Sequence, residues 1–396
     1  MKRKHHFKYL LPLFIAGILA SCKKEIELIS EATAPSNVNT KYFLSEESAR
    51  SIGSRFNFFE GIAQAREIST NIHVIQSVDK INDDRGIPAY YVINYSNNKG
   101  FLVLSADYRQ MPVLGYSTEG SFDRTDMPKG LEGIVKEEVR EISDLRAHNK
   151  ESIAPSVASN WRYLPAVTNS SIIIDPPTDC IRNEWGELKQ AFLKTNWGQF
   201  GAYNDLCPWV GGCSTSADQV WQAPTGCVAT SMAQLMAYYK WPTTYNWSLM
   251  PNNSGSNETA KLMRDAGKAV NMSYGCEASG ASSFSVPGAL KTTFKYTSAA
   301  IMDYTTVGML DQQTSNAIIL QLKANKPVIM SGSDPNEGGH SWIADGFSRG
   351  GNCDPYCYIH MNWGWDSRFN GFFDLNNFNP DDLRFSLGKK AIIVGK

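Results

Sequence analysis

A stretch of polar and small residues without periodicity, from Asn149 to about Pro165, divides the chain into two unlike parts. Every cysteine after Cys22 lies beyond it, at 180, 207, 213, 227, 276, 353 and 357, with most of the tryptophan and glycine. A chain of 396 residues has room for two or three domains at roughly 100–200 residues each. The break means that one of them is built without cysteine. Hydrophobic residues are 42% and charged residues 19%, which supports a packed core and excludes a mostly disordered, collagen-like or coiled-coil chain. Lys plus Arg and Asp plus Glu number 38 and 39. Without a basic field, no nucleic-acid partner is expected.

The N-terminus reads as an address. Lys2, Arg3, Lys4 and Lys8 precede a twelve-residue apolar run, Tyr9 to Ala20. This is the pattern of an export signal, and it is shorter than the roughly 20 residues a membrane span needs. Leu19-Ala20-Ser21-Cys22 resembles the cleavage box of bacterial lipoproteins. It implies that residues 1–21 are removed and Cys22 is acylated, tying the protein to a membrane. Ordinary secretion is the alternative. Residues 22–40 then read as a tether and 41–148 as a small α+β domain. A linker over 149–185 leads to a larger domain, 186–396.

In the smaller domain, Glu46 to about Ile68 has helical character. Ala89–Tyr95 and Phe101–Ser105 are apolar strands joined by Ser96-Asn97-Asn98-Lys99-Gly100, which predicts a hairpin. Leu131, Ile134, Val135, Val139, Ile142 and Leu145 recur at helical spacing, so a helix is expected over 130–148.

Chemistry concentrates in the larger domain. Cys227 follows Gly226, and Val228, Met232, Leu235, Met236 and Tyr239 continue at helical spacing to Trp241-Pro242. A cysteine at a helix N-terminus meets unsatisfied N–H groups that favour thiolate and can bind an oxyanion. A plain core cysteine is the competing reading. A thiolate nucleophile wants an imidazole, and this domain offers His340 and His360. His340 follows Gly338-Gly339 at a strand start, with space for substrate, and is favoured. His360 is mid-strand and reads as packing, though it is not excluded. Asn362 could orient a histidine ring, and Gln199 in Asn196-Trp197-Gly198-Gln199 could donate to an oxyanion. Both could equally be ordinary loop residues. With Cys22 lipidated, seven thiols remain. Cys207–Cys213 and Cys353–Cys357 could close local loops and Cys180–Cys276 could join across the fold, which would leave Cys227 over; equally, several thiols could be free and buried. The spacing and scarcity of His disfavour zinc, and neither a metal nor a cofactor is expected.

TGCVATSMAQLMAYYKWP at 225–242, GGHSWIADGF at 338–347 and HMNWGWDSRFNGFF at 360–373 together resemble the streptopain family of bacterial cysteine peptidases, family C10. TNWGQ at 195–199, MSYGCEASGASS at 272–283 and NKGFLVLSADYRQMPVLGYSTEGSF at 98–122 add weaker support, and the likeness covers about residues 40–396. It implies an α+β papain-like fold, with a nucleophile-bearing helix packed on an antiparallel sheet, preceded by an inhibitory prodomain. It implies a thiol endopeptidase made as a zymogen, with protein or peptide substrates and its own prodomain as intramolecular inhibitor. Cys227 would be the nucleophile and His340 the proton acceptor. Gln199 would be the oxyanion donor, and Asn362 or Trp363 would orient the ring. Gly339, Gly280 and Ser282 would line the substrate cleft. An inactive peptide-binding lipoprotein and an acyltransferase on the same fold are the alternatives. Two features depart from the family pattern. The stretch Asn376 to Gly388 is short and nearly free of glycine, and the Arg349–Cys357 loop is long.

Overall fold

The structure is a computed structural model that describes residues 41–58, 72–148, 152–162, 164, 186–211, 213, 220–302, 312–334, 338–350, 356–374 and 387–396. The export signal, Cys22, the tether, and Cys180 and Cys353 lie outside the described residues. The first half runs α1 (Glu46–Ser54), β1 (Ile75–Asn82), β2 (Pro88–Tyr95), β3 (Phe101–Ser105), β4 (Val113–Ser117), α2 (Lys129–Ala147) and α3 (Pro155–Arg162). The second half opens with β5 (Glu187–Lys189), β6 (Trp209–Gly211), β7 (Val220–Gln222), α4 (Cys227–Tyr239), α5 (Asn257–Ala269) and α6 (Val286–Thr292). It closes with β8 (Ser298–Met302), α7 (Gln312–Lys323), β9 (Val328–Asp334), β10 (Gly338–Arg349), β11 (Cys357–Asn362), β12 (Gly371–Asp374) and β13 (Leu387–Gly395).

The expected hairpin forms, with Val92 opposite Val103, and left-handed Asn97 and Asn98 carry its turn. Its strands are buried on both faces, because they are apolar runs rather than alternations. Tyr90, Val92, Phe101 and Val103 pack with Leu131, Val135 and Ile142 of α2. Tyr91, Ile93, Leu102 and Leu104 pack with Ala49 and Ile52 of α1 and with Val157 and Trp161 of α3.

Two expectations are corrected. The first helix stops at Ser54, and residues 59–68 of the span expected to be helical lie outside the described residues. Arg55 leaves helical geometry, and Phe56 and Phe58 turn into an aromatic cluster with Tyr95 and Tyr116. The stretch read as a linker without periodicity also contains α3. Two turns are too few for periodicity to register, but Trp161 is buried and its Nε1–H donates to Gln110 O at 2.9 Å. The linker's first part therefore belongs to the first half's core.

One antiparallel sheet joins the halves, in the order β1-β2-β3-β4-β12-β11-β10-β9-β13-β8, with β5 against β10. The junction is short: Tyr116 lies opposite Phe372 and Gly115 opposite Phe373. In the second half, Ile329, Ile343, Ile392 and Val394 face α4, α5 and α6. Val328, Met330, Trp342 and Ala344 face the other way, sharing a cluster with α7 and with α2. Helix α2 from the first half thus covers part of the second half's sheet.

Candidate active site

Helix α4 is buried all round from Val228 to Met236, and Cys227 is its first residue. The preceding Gly226 has φ +83°, and a Cβ there would meet Met272 Sδ at 2.7 Å and Ser279 O at 2.8 Å. Both the backbone and the space therefore require glycine. Gly226 supplies no side-chain cap, so the helix's first N–H groups remain available. The Cys227 sulfur is partly exposed and has the main-chain N–H groups of Ser341, Val228 and Cys227 itself in its surroundings. Burial pushes its thiol pKa up, and these N–H groups pull it back.

His340 is the third residue of β10, opposite Gly332. Its Nε2 lies 2.9 Å from the main-chain oxygen of Trp363. A carbonyl only accepts, so Nε2 carries the proton and Nδ1 is left as the base. The ring stacks on Trp365 at 4.2 Å and lies 6.0 Å from Trp342 and from Trp363. This indole surround desolvates it and lowers its pKa to about 4. Among the described residues, Cys227 and His340 are not each other's hydrogen-bond partners. At neutral pH both are uncharged here.

The other histidine is engaged elsewhere. His360 Nδ1 lies 2.5 Å from Asp345 Oδ1, and the ring sits edge-on to Phe372. Asp345 Oδ2 accepts from Leu193 N–H at 2.9 Å. This pair fastens the segment after β5 to β10.

Asn362 does not reach the His340 ring. Its Oδ1 accepts from Gln234 Nε2 at 3.1 Å and from Gly364 N–H at 3.2 Å, and its Nδ2 donates to Thr195 O at 2.8 Å. The hydrogen bond to the ring comes from Trp363, through its backbone. The Trp363 indole Nε1–H is spent on Phe369 O. Gln199 is tied by its own carbonyl, which accepts from Thr225 N–H at 3.0 Å. This sets the segment bearing Gln199 beside the residues that lead into Cys227. Gly339 is exposed on β10 opposite Ser333. Gly280 is exposed, bridges Ser273, and has open space where a Cβ would stand. Ser282 Oγ accepts from Phe284 N–H. The Gly280 loop borders the nucleophile, since Ser279 O and Met272 close on Gly226.

The disulfide pairing differs from expectation. Cys213 bonds Cys276, while Cys207 and Cys357 are free thiols. Extended β6 lies between Cys207 and Cys213, and about 3.3 Å per residue carries their Cα atoms beyond the roughly 7 Å a disulfide tolerates. Cys207 is buried beside Tyr274, and burial pushes its thiol up to about 11. Cys357 is enclosed near Asp374, and burial pushes it up to about 12. The bridge formed ties the β6–β7 connection to the Gly280 loop.

One group of residues was missed from sequence. Thr230, Ser231 and Gln234 lie three, four and seven residues after Cys227 and are buried. Thr230 Oγ1 is 2.8 Å from Thr225 Oγ1, and Ser231 Oγ is 2.9 Å from Ser341 Oγ. The available signal was a polar stripe at helical spacing on an otherwise apolar helix.

The Peptidase C10 family model matches residues 197–246 and 243–373. The Spi protease inhibitor model matches residues 41–142. Thiol protease/hemagglutinin PrtT of Porphyromonas gingivalis is 32% identical over 333 residues, 76% of this chain, and the chain spans 35% of that relative's length. Streptopain of Streptococcus pyogenes serotype M28 is 28% identical over 339 residues, 74% of this chain and 75% of that protein. A solved prointerpain A fragment of Prevotella intermedia has a TM-score of 0.57 at 24% identity, covering 81% of this chain and 99% of the fragment. It shares the α+β, papain-like fold with its preceding prodomain. With both halves matched and relatives running across the two, this chain belongs to the streptopain-like peptidase C10 family, cysteine peptidases that carry an inhibitor-like prodomain.

Proposed function

We propose that the chain is the precursor of an exported cysteine endopeptidase. The observation that carries this reading is the setting of Cys227. It stands at an uncapped helix N-terminus, behind a glycine that no other residue could replace, with the backbone of Ser341, the neighbour of His340, lowering its thiol pKa. In the active form Cys227 thiolate attacks a peptide carbonyl. The Cys227 N–H and the Gln199 amide hold the oxyanion, and His340 imidazolium protonates the leaving amine. His340 then activates water to hydrolyse the thioester. Gly339 and the Gly280–Ser282 loop border the bound peptide.

Residues 41–148 act as an intramolecular inhibitor. Leu131 and Val135 of α2 pack in the same cluster as Trp342, Trp363 and Trp365, the indoles around His340. A covered, neutral His340 suits a resting precursor. Maturation cuts the 149–185 linker, and because α3 is part of the prodomain core, the cut falls after Leu164. Cys22 carries the lipid anchor, so cleavage frees the peptidase from the membrane while the prodomain stays behind.

The test uses residues 23–396 as wild type and as Cys227→Ala, followed by intact mass under mild reductant. Wild type is expected to shorten to a fragment starting between 165 and 186. The variant should shorten only when a trace of wild type is added. If wild type stays intact, and still fails to cleave casein after trimming with trypsin, the peptidase reading is wrong.

A further inference from the structure

We propose that Gln234 is the positioning residue that registers the three segments of this site on one helix; the inference rests on the peptidase reading above. Gln234 lies two helical turns after Cys227 and is fully buried. A buried carboxamide is costly unless its groups are paired. Gln234 Oε1 accepts from Trp197 N–H at 3.2 Å. Gln234 Nε2 donates to Asn362 Oδ1 at 3.1 Å. One side chain therefore joins the helix of Cys227, the segment of Gln199, and the turn whose Trp363 carbonyl accepts the hydrogen bond from His340 Nε2–H.

The orientations are forced. Trp197 N–H can only donate, so it meets Gln234 Oε1. Gly364 N–H donates to Asn362 Oδ1, so that oxygen faces Gln234 Nε2. Asn362 Nδ2 is then free to donate to Thr195 O at 2.8 Å. Reversing either amide sets donor against donor or acceptor against acceptor. The turn also packs directly on α4: a Cβ on Gly364 would stand 3.1 Å from Thr230 Cγ2 and 3.9 Å from Gln234 Nε2. Gln234 touches neither thiol nor imidazole. It acts through Trp197 on the oxyanion side and through Asn362 on the side that holds His340.

Gln234→Glu separates positioning from packing, because it keeps shape and the acceptor for Trp197 and loses only the donor. Ionised, it sets a carboxylate against Asn362 Oδ1; protonated, it donates again. Gln234→Met keeps volume and removes both bonds at every pH. Each variant is folded as the full chain and trimmed by a trace of wild-type enzyme. Hydrolysis of a fluorogenic peptide is then measured from pH 5 to 9, alongside Tm and the rate at which iodoacetamide alkylates Cys227. The expected result for Gln234→Glu is a fall in kcat of roughly 10- to 100-fold at pH 8, the cost of misplacement by about 1 Å, with KM within about twofold. Its kcat should recover toward wild type as pH falls, while Gln234→Met stays low throughout. Wild-type kcat and pH profile in either variant would overturn the proposal, as would equal losses at every pH in both. If wild type itself hydrolyses nothing, the peptidase reading has failed. The alkylation profiles then still decide whether Gln234 sets the Cys227 environment.

Discussion

The Nε2–H of His340 donates to the main-chain oxygen of Trp363 at 2.9 Å, and this bond fixes the tautomer of a ring that burial keeps neutral. Its pKa falls from 6.5 to about 4. In the unfolded chain the ring takes a proton as pH drops through about 6.5, whereas the folded precursor resists until about 4. The unfolded state binds more protons across that window, so His340 makes the precursor less stable as pH falls. At about 1.4 kcal/mol per unit the full cost is roughly 3 kcal/mol. Denaturant titrations of wild type and His340→Gln at pH 4.5 and 7.5 isolate it. Wild type should lose more stability on acidification than the variant. The difference between the two is the readout, because buried Glu138, with its carboxyl pKa raised by burial, pulls the opposite way.

Burial holds Cys227 as a neutral thiol in the precursor, and only thiolate alkylates quickly. Iodoacetamide at pH 6.5 should label Cys227 at least about 10-fold more slowly in the precursor than after trimming, once an imidazolium can pair with it. Peptide mass analysis reads the rate. Cys207 and Cys357, pushed up to about 11 and about 12, serve as unreactive references in both forms.

The Cys213–Cys276 bridge spans a sequence separation of 63 residues. By loop-closure entropy its removal costs about 4 kcal/mol. The bridge ties two loops flanking the nucleophile, so Cys213→Ser with Cys276→Ser should also raise KM several-fold while kcat changes less. Non-reducing peptide mapping should recover a fragment joining these two residues, with Cys207 and Cys357 alkylated.

Long apolar runs and motif residues made much of this molecule legible from sequence. The β2–β3 hairpin and α2 follow their patterns closely, because burial dictated those residues one by one. Pairings across the fold were not legible. Nothing in the spacing shows that Cys213 reaches Cys276, since that depends on how β6 extends. Nor does it show that Asn362 serves Gln234 while the Trp363 backbone serves His340. A main-chain carbonyl leaves no side-chain signature, and Asn362 fits either role until the turn at Gly364 is seen. The continuous sheet was also hidden, since β4 and β12, which join its two parts, are only five and four residues long.

That junction gives a way to release the prodomain selectively. Gly115 of β4 faces Phe373 of β12, and a Cβ on Gly115 would fall 2.6 Å from the Phe373 ring. Phe373 has little freedom to yield, because it is buried and packs edge-on against Trp363 at 5.2 Å. Gly115→Ala therefore wedges β4 from β12, costing about 1–3 kcal/mol as overpacking does. The backbone of Gly115 is not left-handed, so the substitution adds no local strain. Gly115 belongs to the prodomain, and the mature peptidase would not contain it. The expected outcome is self-processing several-fold faster than wild type, with unchanged kcat and KM in the trimmed enzyme. An unchanged processing half-time, followed by gel densitometry at matched concentration, would mean that the β4–β12 junction does not hold the inhibitor in place.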